Sequence, residues 1–217
     1  MKRGKYEFPG HDSRDDAHKK KEEVQTETDP VKIFTLYLHD IVYLLAVVIL
    51  LFLLVFRVAV VSGDSMYNTL VDGDYLLLLG NLFYTQPEYG DIVVASKSDY
   101  SGGEPIVKRI IACEGQTVDI DFEAGIVYVD GMALEEPYTY TPTHTQEGQT
   151  FPLTVDTGCY FVMGDNRGIS KDSRSPDIGL IDRREILGKV IVLFFPGSDN
   201  GAPRDYRRIG VMRHGAG

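Results

Sequence analysis

Between Ile41 and Phe56 the chain reads IVYLLAVVILLFLLVF, sixteen residues without a charge. Counted through Val61 and interrupted only by Arg57, the stretch is 21 residues. As a helix it spans about 31 Å, which matches a bilayer hydrocarbon core of about 30 Å. Arg57, close to the far end, can extend its guanidinium to the headgroups. In the alternative, the helix is shorter and Val58-Ala59-Val60-Val61 already opens a strand; the sequence accommodates both. The segment reads as a retained anchor rather than a cleaved leader. Its apolar run is long for a leader, residues 1–40 ahead of it are largely polar, and no small-x-small site follows.

Lys19, Lys20, Lys21 and Lys32 precede the anchor, and after it Arg57 is the only basic residue before Lys97. This bias predicts a cytoplasmic N-terminus and an extracytoplasmic chain from about residue 60 onward. The expected organisation is a disordered cytoplasmic tail over 1–32, a transmembrane anchor over 33–57, a β-rich extracytoplasmic domain over 58–196 and a flexible tail over 197–217. The first tail mixes charges of both signs with almost no apolar periodicity. The last is Gly-rich, and its Arg204, Arg207, Arg208 and Arg213 are expected in solvent.

The formal net charge is -10, of which residues 1–40, with 8 basic against 9 acidic side chains, hold only -1. A domain this acidic lacks the footprint needed to bind phosphates, so nucleic acid is excluded as a partner. The two cysteines, Cys113 and Cys159, are too few for a disulfide scaffold and have no metal-ligand spacing around them. They read as two buried free thiols or as one bridge outside the membrane. Neither a metal nor a cofactor is expected.

Beyond Ser62 the chain breaks into short apolar or alternating runs separated by turn residues. Examples are YLLLLG (75–80), DIVVAS (91–96), PIVKRIIAC (105–113), QTVDIDF (116–122), CYFVMGD (159–165) and KVIVLFF (189–195). In VYVDGMA an Asp-Gly pair separates two such runs, which is a hairpin signal. The fold class is therefore mainly β: an antiparallel β-sheet domain preceded by a single N-terminal transmembrane helix.

Three segments carry candidate chemistry. The first is Ser62-Gly63-Asp64-Ser65-Met66-Tyr67-Asn68-Thr69-Leu70, the second Val107-Lys108-Arg109-Ile110-Ile111, and the third runs from Gly164 through Asp165-Asn166-Arg167 to Ser170-Lys171-Asp172-Ser173-Arg174. Each alone is ordinary: a turn serine, an edge-strand lysine, a polar turn. A serine hydroxyl needs an adjacent base to become a nucleophile. Of the five histidines, only His144 lies within the β region, in a Thr/Pro-rich loop, so a Ser-His-Asp triad is poorly supported. A lysine can replace histidine if burial lowers its pKa from about 10.4, and Lys108 has Val107, Ile110 and Ile111 as apolar neighbours. Lowering the pKa by roughly 2 units costs about 2.7 kcal/mol, which a domain of this size tolerates.

Taken together and in this order, the three segments resemble the type I (leader) signal peptidase family, in the compact form of single-membrane bacteria. The resemblance spans residues 58–195. It implies an all-β Ser/Lys peptidase that acts as a monomer in the cell membrane on preprotein signal peptides, which bind as an added strand. Ser65 would attack the scissile carbonyl and Lys108 would take its proton. Ser170 would hydrogen-bond the Lys108 amine. Asp172 and Arg174 would form an ion pair that shapes the site, with Arg109 close by. The Ser65 N–H would help hold the oxyanion. Val61, Met66, Leu70, Ile106 and Val107 are the substrate-pocket candidates. The chain departs from the family pattern at Asn68, where proline is usual, at Gln116, and at Gly63, which has no hydroxyl to offer the oxyanion; Ser62 is the substitute donor. The competing non-enzymatic reading is an anchored β module, which requires Ser65 and Lys108 to lie beyond hydrogen-bond reach of each other.

Overall fold

A computed structural model of the chain describes residues 29–198 and 201–212. Most of the expected N-terminal tail (1–28) and parts of the expected C-terminal tail (199–200 and 213–217) lie outside the described residues. The chain divides into two compact units, Met1–Val47 and Val48–Gly217.

The described part of the first unit is the start of helix α1 (Pro30–Val55). Asp29 caps it, its carboxylate accepting the Val31 N–H at 3.0 Å. Pro30 takes the first helical position, where its missing N–H costs nothing. None of the 26 helical residues is buried. Among the described residues α1 is the one helix long and apolar enough to cross a membrane.

In the second unit the helix stops at Val55 and Phe56 opens strand β1 (Phe56–Val60). Arg57 is therefore a strand residue, and the shorter-helix alternative is the one adopted. The cause is tertiary: β1 pairs along its whole length with β2 (Tyr75–Gly80), from Phe56↔Leu79 to Val60↔Tyr75. The β-branched Val58 and Val60 suit that ladder.

The strands that follow are β3 (Ile92–Ser96), β4 (Pro105–Ala112), β5 (Thr117–Asp121), β6 (Ile126–Val129), β7 (Met132–Ala133), β8 (Leu153–Thr154), β9 (Cys159–Met163), β10 (Ile181–Asp182), β11 (Ile186–Phe195) and β12 (Gly210–Val211). The main sheet has the order β1-β2-β11-β3-β4-β9-β10, with β12 added to β11, and the second has the order β7-β6-β5-β8. Every ladder between these strands is antiparallel. The β6–β7 hairpin turns at Asp130-Gly131 with φ of 53° and 78°, the positive pair that a two-residue type I′ turn demands. Strand β3 is buried on both faces. Ile92 and Val94 join one core cluster with Leu76 and Leu78, while Val93 and Ala95 join another with Ile110 and Val162. A third cluster, around Val118, Val127 and Phe161, fills the space between the two sheets.

In the segment after Pro196, Arg204 and Arg207 are exposed as expected and Arg213 lies outside the described residues, but Arg208 differs from the expectation. Strand β12 adds to β11 through Val192↔Val211 and Leu193↔Gly210. Arg208 pairs with the fully buried Asp74 carboxylate at 2.6 Å. A buried carboxylate needs a counter-charge, and only the fold brings this one from so far along the chain.

Candidate active site

Ser65 lies in the loop between β1 and β2. Two buried side chains, Met66 and Leu70, anchor that loop in the first core cluster. The third motif then fixes the serine's backbone: the Asn166 N–H donates to Ser65 O at 3.0 Å, and Asn166 Nδ2 donates to Asp64 O at 3.2 Å. Among the described residues the Ser65 N–H has no protein acceptor.

Lys108 projects from β4 and its Nζ donates to Ser65 Oγ at 2.8 Å and to Val107 O at 3.0 Å. This distance removes the geometric requirement of the non-enzymatic reading. The side chain is 5 % exposed. Burial pulls its amine down from 10.5 to about 8, against the opposing pull of Asp172, Asp165 and Glu147. His144 is engaged elsewhere, its Nδ1 lying 3.0 Å from Phe122 O. Cys113 and Cys159 are half-buried free thiols, and burial pushes both up, away from thiolate chemistry.

Around this pair stand fully buried ion pairs. Arg109 forks onto Asp165 with Nε–Oδ1 and Nη2–Oδ2 distances of 2.8 and 2.6 Å, and Tyr138 lies with its ring 3.9 Å from the guanidinium. Asp165 also accepts the Thr69 hydroxyl at 2.5 Å. Arg174 forks onto Asp172, 2.8 Å for each bond, and donates to Ser170 O at 3.0 Å. The Asp172–Arg174 pair was legible in the third motif. The Arg109–Asp165 pair was not, because it joins segments 56 residues apart.

Ser170 departs from expectation. The Lys108 amine bonds Ser65 and Val107, and Ser170 Oγ, although buried, has no hydrogen-bond partner among the described residues. Ser170 is nonetheless packed against the nucleophile's backbone across Gly164. A Cβ added at Gly164 would fall 2.2 Å from Ser170 Oγ and 2.4 Å from Ser65 O. Gly164→Ala is therefore expected to displace the Ser65 backbone and to destabilise the domain by about 1–3 kcal/mol, measured by denaturant unfolding.

The five pocket candidates separate into two groups. Val61, Met66 and Leu70, at 4 %, 1 % and 0 % exposure, are core residues beneath the loop, whereas Ile106 and Val107 on β4 are half-buried. An open groove of ≈ 480 Å³ has Val58, Val60 and Ser62 on one wall, Glu104 and Pro105 on the other, and Leu78, Val94 and Leu187 among its lining. Sequence reading missed this wall because the β1 alternation begins at the undecided end of the apolar run.

The family profile described as "Signal peptidase, peptidase S26" matches residues 34–195. A protein named "Probable signal peptidase I-1" from Synechocystis is 36 % identical over 74 % of this chain and 83 % of its own length. "Signal peptidase I T" of Bacillus subtilis is 38 % identical over 72 % of this chain and 81 % of its own length. The crystal structure of a signal peptidase I from Enterococcus faecalis aligns with 49 % of this chain and 97 % of that one, at 28 % identity and a TM-score of 0.39. With a profile spanning most of its length and relatives at this identity, the chain belongs to the signal peptidase family of serine peptidases, peptidase S26.

Proposed function

We propose that the chain is a membrane-bound serine endopeptidase that removes N-terminal signal peptides from secreted preproteins, with Ser65 as nucleophile and Lys108 as general base. The observation that carries this reading is the 2.8 Å contact between Ser65 Oγ and the buried Lys108 amine. The neutral amine takes the Ser65 proton as Oγ bonds to the scissile carbonyl. The oxyanion that forms is held by the Ser65 N–H, with the Ser62 hydroxyl as second donor. The protonated amine then gives its proton to the leaving amino group, the C–N bond breaks, and an acyl-enzyme remains. A water deprotonated by Lys108 hydrolyses the ester and restores Ser65. Ser170, Asp172, Arg174 and Arg109 act in support, fixing the backbone and the charge around the pair.

The substrate fits as an added strand. Among the described residues β1 pairs only with β2, and Pro105–Lys108 of β4 have no partner on the β9 side. Four successive antiparallel pairings separate the two strands, so β1 and β4 run in the same direction. A peptide between them meets both edges in the same sense, with its side chains entering the groove. Helix α1 serves as the anchor, the N-terminus is cytoplasmic and the chain from β1 through β12 forms the extracytoplasmic peptidase domain. The length and apolar character of α1 and the positive-inside bias support this orientation.

The test is the pH dependence of cleavage of a signal-peptide substrate. A base with its pKa near 8 must lose a proton to work. kcat/KM is thus expected to fall about tenfold per unit below pH 7 and to level off above about pH 9. A rate that stays flat between pH 6 and 8, with chemistry limiting, would remove Lys108 as the base.

A further inference from the structure

The loop that carries Ser65 is closed by a residue from the far end of the chain. Its two ends meet where the Val61 N–H donates to Asp74 O and the Gly73 N–H to Val61 O, both at 2.9 Å. The Asp74 side chain, 0 % exposed, gathers four donors. These are the Val71 N–H at 2.8 Å, the Gly197 N–H at 2.7 Å, and Arg208 Nη1 and Nη2 at 2.9 and 2.6 Å. The same Arg208 Nη2 also donates to Thr69 O at 3.3 Å, inside the loop. Arg208 therefore holds both the carboxylate that closes the loop and a carbonyl four residues past the nucleophile.

From Thr69 the hydrogen bonds continue to the reacting pair. Thr69 Oγ1 donates to Asp165, Asp165 is forked by Arg109 beside Lys108, and the next residue, Asn166, donates its N–H to Ser65 O. At its other end Arg208 is fixed independently of the loop. It sits in a short 3-10 turn, Tyr206–Arg208, and the chain then runs into β12, with the Met212 N–H donating to Ile191 O at 2.9 Å.

We propose that Arg208 is a positioning residue of the peptidase reaction: its bonds to Asp74 and Thr69 tether the Ser65 loop to the C-terminal segment and set where Ser65 Oγ stands relative to Lys108. This rests on the Ser65/Lys108 reading above. Arg208 is not in the lining of the groove between β1 and β4 and borders instead a hollow with Tyr67 and Asn68, so its loss is expected to act on the chemical step and to leave binding along β1 and β4 in place. A displacement of about 1 Å at the nucleophile costs up to about 100-fold in rate.

The experiment uses the full chain in detergent micelles, with kinetics on a signal-peptide substrate and amide hydrogen exchange on the same preparations. Arg208→Gln is expected to lower kcat by about 10- to 100-fold with KM changed less than about threefold. Exchange over residues 66–74 is expected to rise at least about tenfold while β3 and β4 stay protected. Arg208→Lys keeps the charge without the fork and should recover part of both losses. Arg207→Gln, whose ion pair with Asp205 lies on the surface, should change neither. Unchanged exchange in Arg208→Gln overturns the proposal, and so does raised exchange with unchanged kcat. If Arg208→Gln does not fold, Arg208→Lys is read by the same two measurements. Absence of cleavage by the unsubstituted chain counts against the peptidase reading, while exchange decides the tether by itself.

Discussion

Lys108→Met is expected to abolish signal-peptide cleavage and, at neutral pH, to leave the folded domain more stable than before. The loss of activity follows from removing the one base in contact with Ser65 among the described residues. A positioned base contributes about 10²–10⁴-fold, and members of such a unit are not additive, so Ser65→Ala and the double variant should be equally inactive. The gain in stability follows from burial. The folded-state pKa of Lys108 lies near 8, below its ordinary 10.5, so the charged form is disfavoured by roughly 3 kcal/mol. Below pH 8 both folded and unfolded chains carry the proton and that penalty is present in full. Between pH 8 and 10.5 the unfolded chain holds more protons than the folded one, so stability rises with pH and the penalty is relieved. Methionine keeps the stem without the amine. Against the relieved penalty stand two lost hydrogen bonds worth about 1 kcal/mol each. The net gain is about 1–2 kcal/mol at pH 7, shrinking as pH passes through 8 to 10.5. Denaturant unfolding at several pH values measures it, and cleavage assays measure the loss. Residual processing within tenfold of the unsubstituted chain would refute the role, and a stability difference independent of pH would refute the electrostatic account.

What the sequence made legible is local or depends on motif. Period-two runs bounded by turn residues located the main strands, and Asp130-Gly131 marked a hairpin through the φ values that pair adopts. The three motifs brought Ser65, Lys108 and the Asp172–Arg174 pair to attention before any geometry was known. What stayed illegible depends on contacts between distant segments. The helix could not be ended at Val55 from an apolar run that continues to Val61, because pairing with β2 makes that decision. Met66 and Leu70 read as pocket residues, since nothing local distinguishes a side chain beneath a loop from one above it. Arg208 read as a tail arginine because its partner, Asp74, lies 134 residues away. The groove walls on β1 and at Glu104-Pro105 became recognisable only once two separate strand edges were seen to flank one opening.

Asp165→Ala is expected to be the most destabilising single substitution at the site. Asp165 and Arg109 are both 0 % exposed, so alanine leaves a guanidinium in the interior with no counter-charge. Breaking one side of such a pair costs about 3–5 kcal/mol. The Thr69 hydroxyl loses its acceptor in the same step, and the Arg109 bond to Gly90 O at 3.0 Å does not compensate for a missing charge. Arg109→Met produces the mirror-image defect, a buried carboxylate left with the Thr69 hydroxyl. The double variant, Arg109→Met with Asp165→Leu, buries no unpaired charge. It should therefore be more stable than either single variant, although pairs of this kind are worth little against apolar replacements. Denaturant unfolding of the unsubstituted chain, Arg109→Met, Asp165→Leu and their double variant closes the cycle, and a coupling of at least about 2 kcal/mol is expected. Activity should not return with stability in the double variant. Asp165 holds Thr69, and the next residue holds the Ser65 carbonyl, so an apolar pair restores the packing without restoring the hydrogen bonds that reach the nucleophile. Additive losses in the cycle would mean that Arg109 and Asp165 act separately, and full activity in the stabilised double variant would mean that their pairing has no part in placing Ser65.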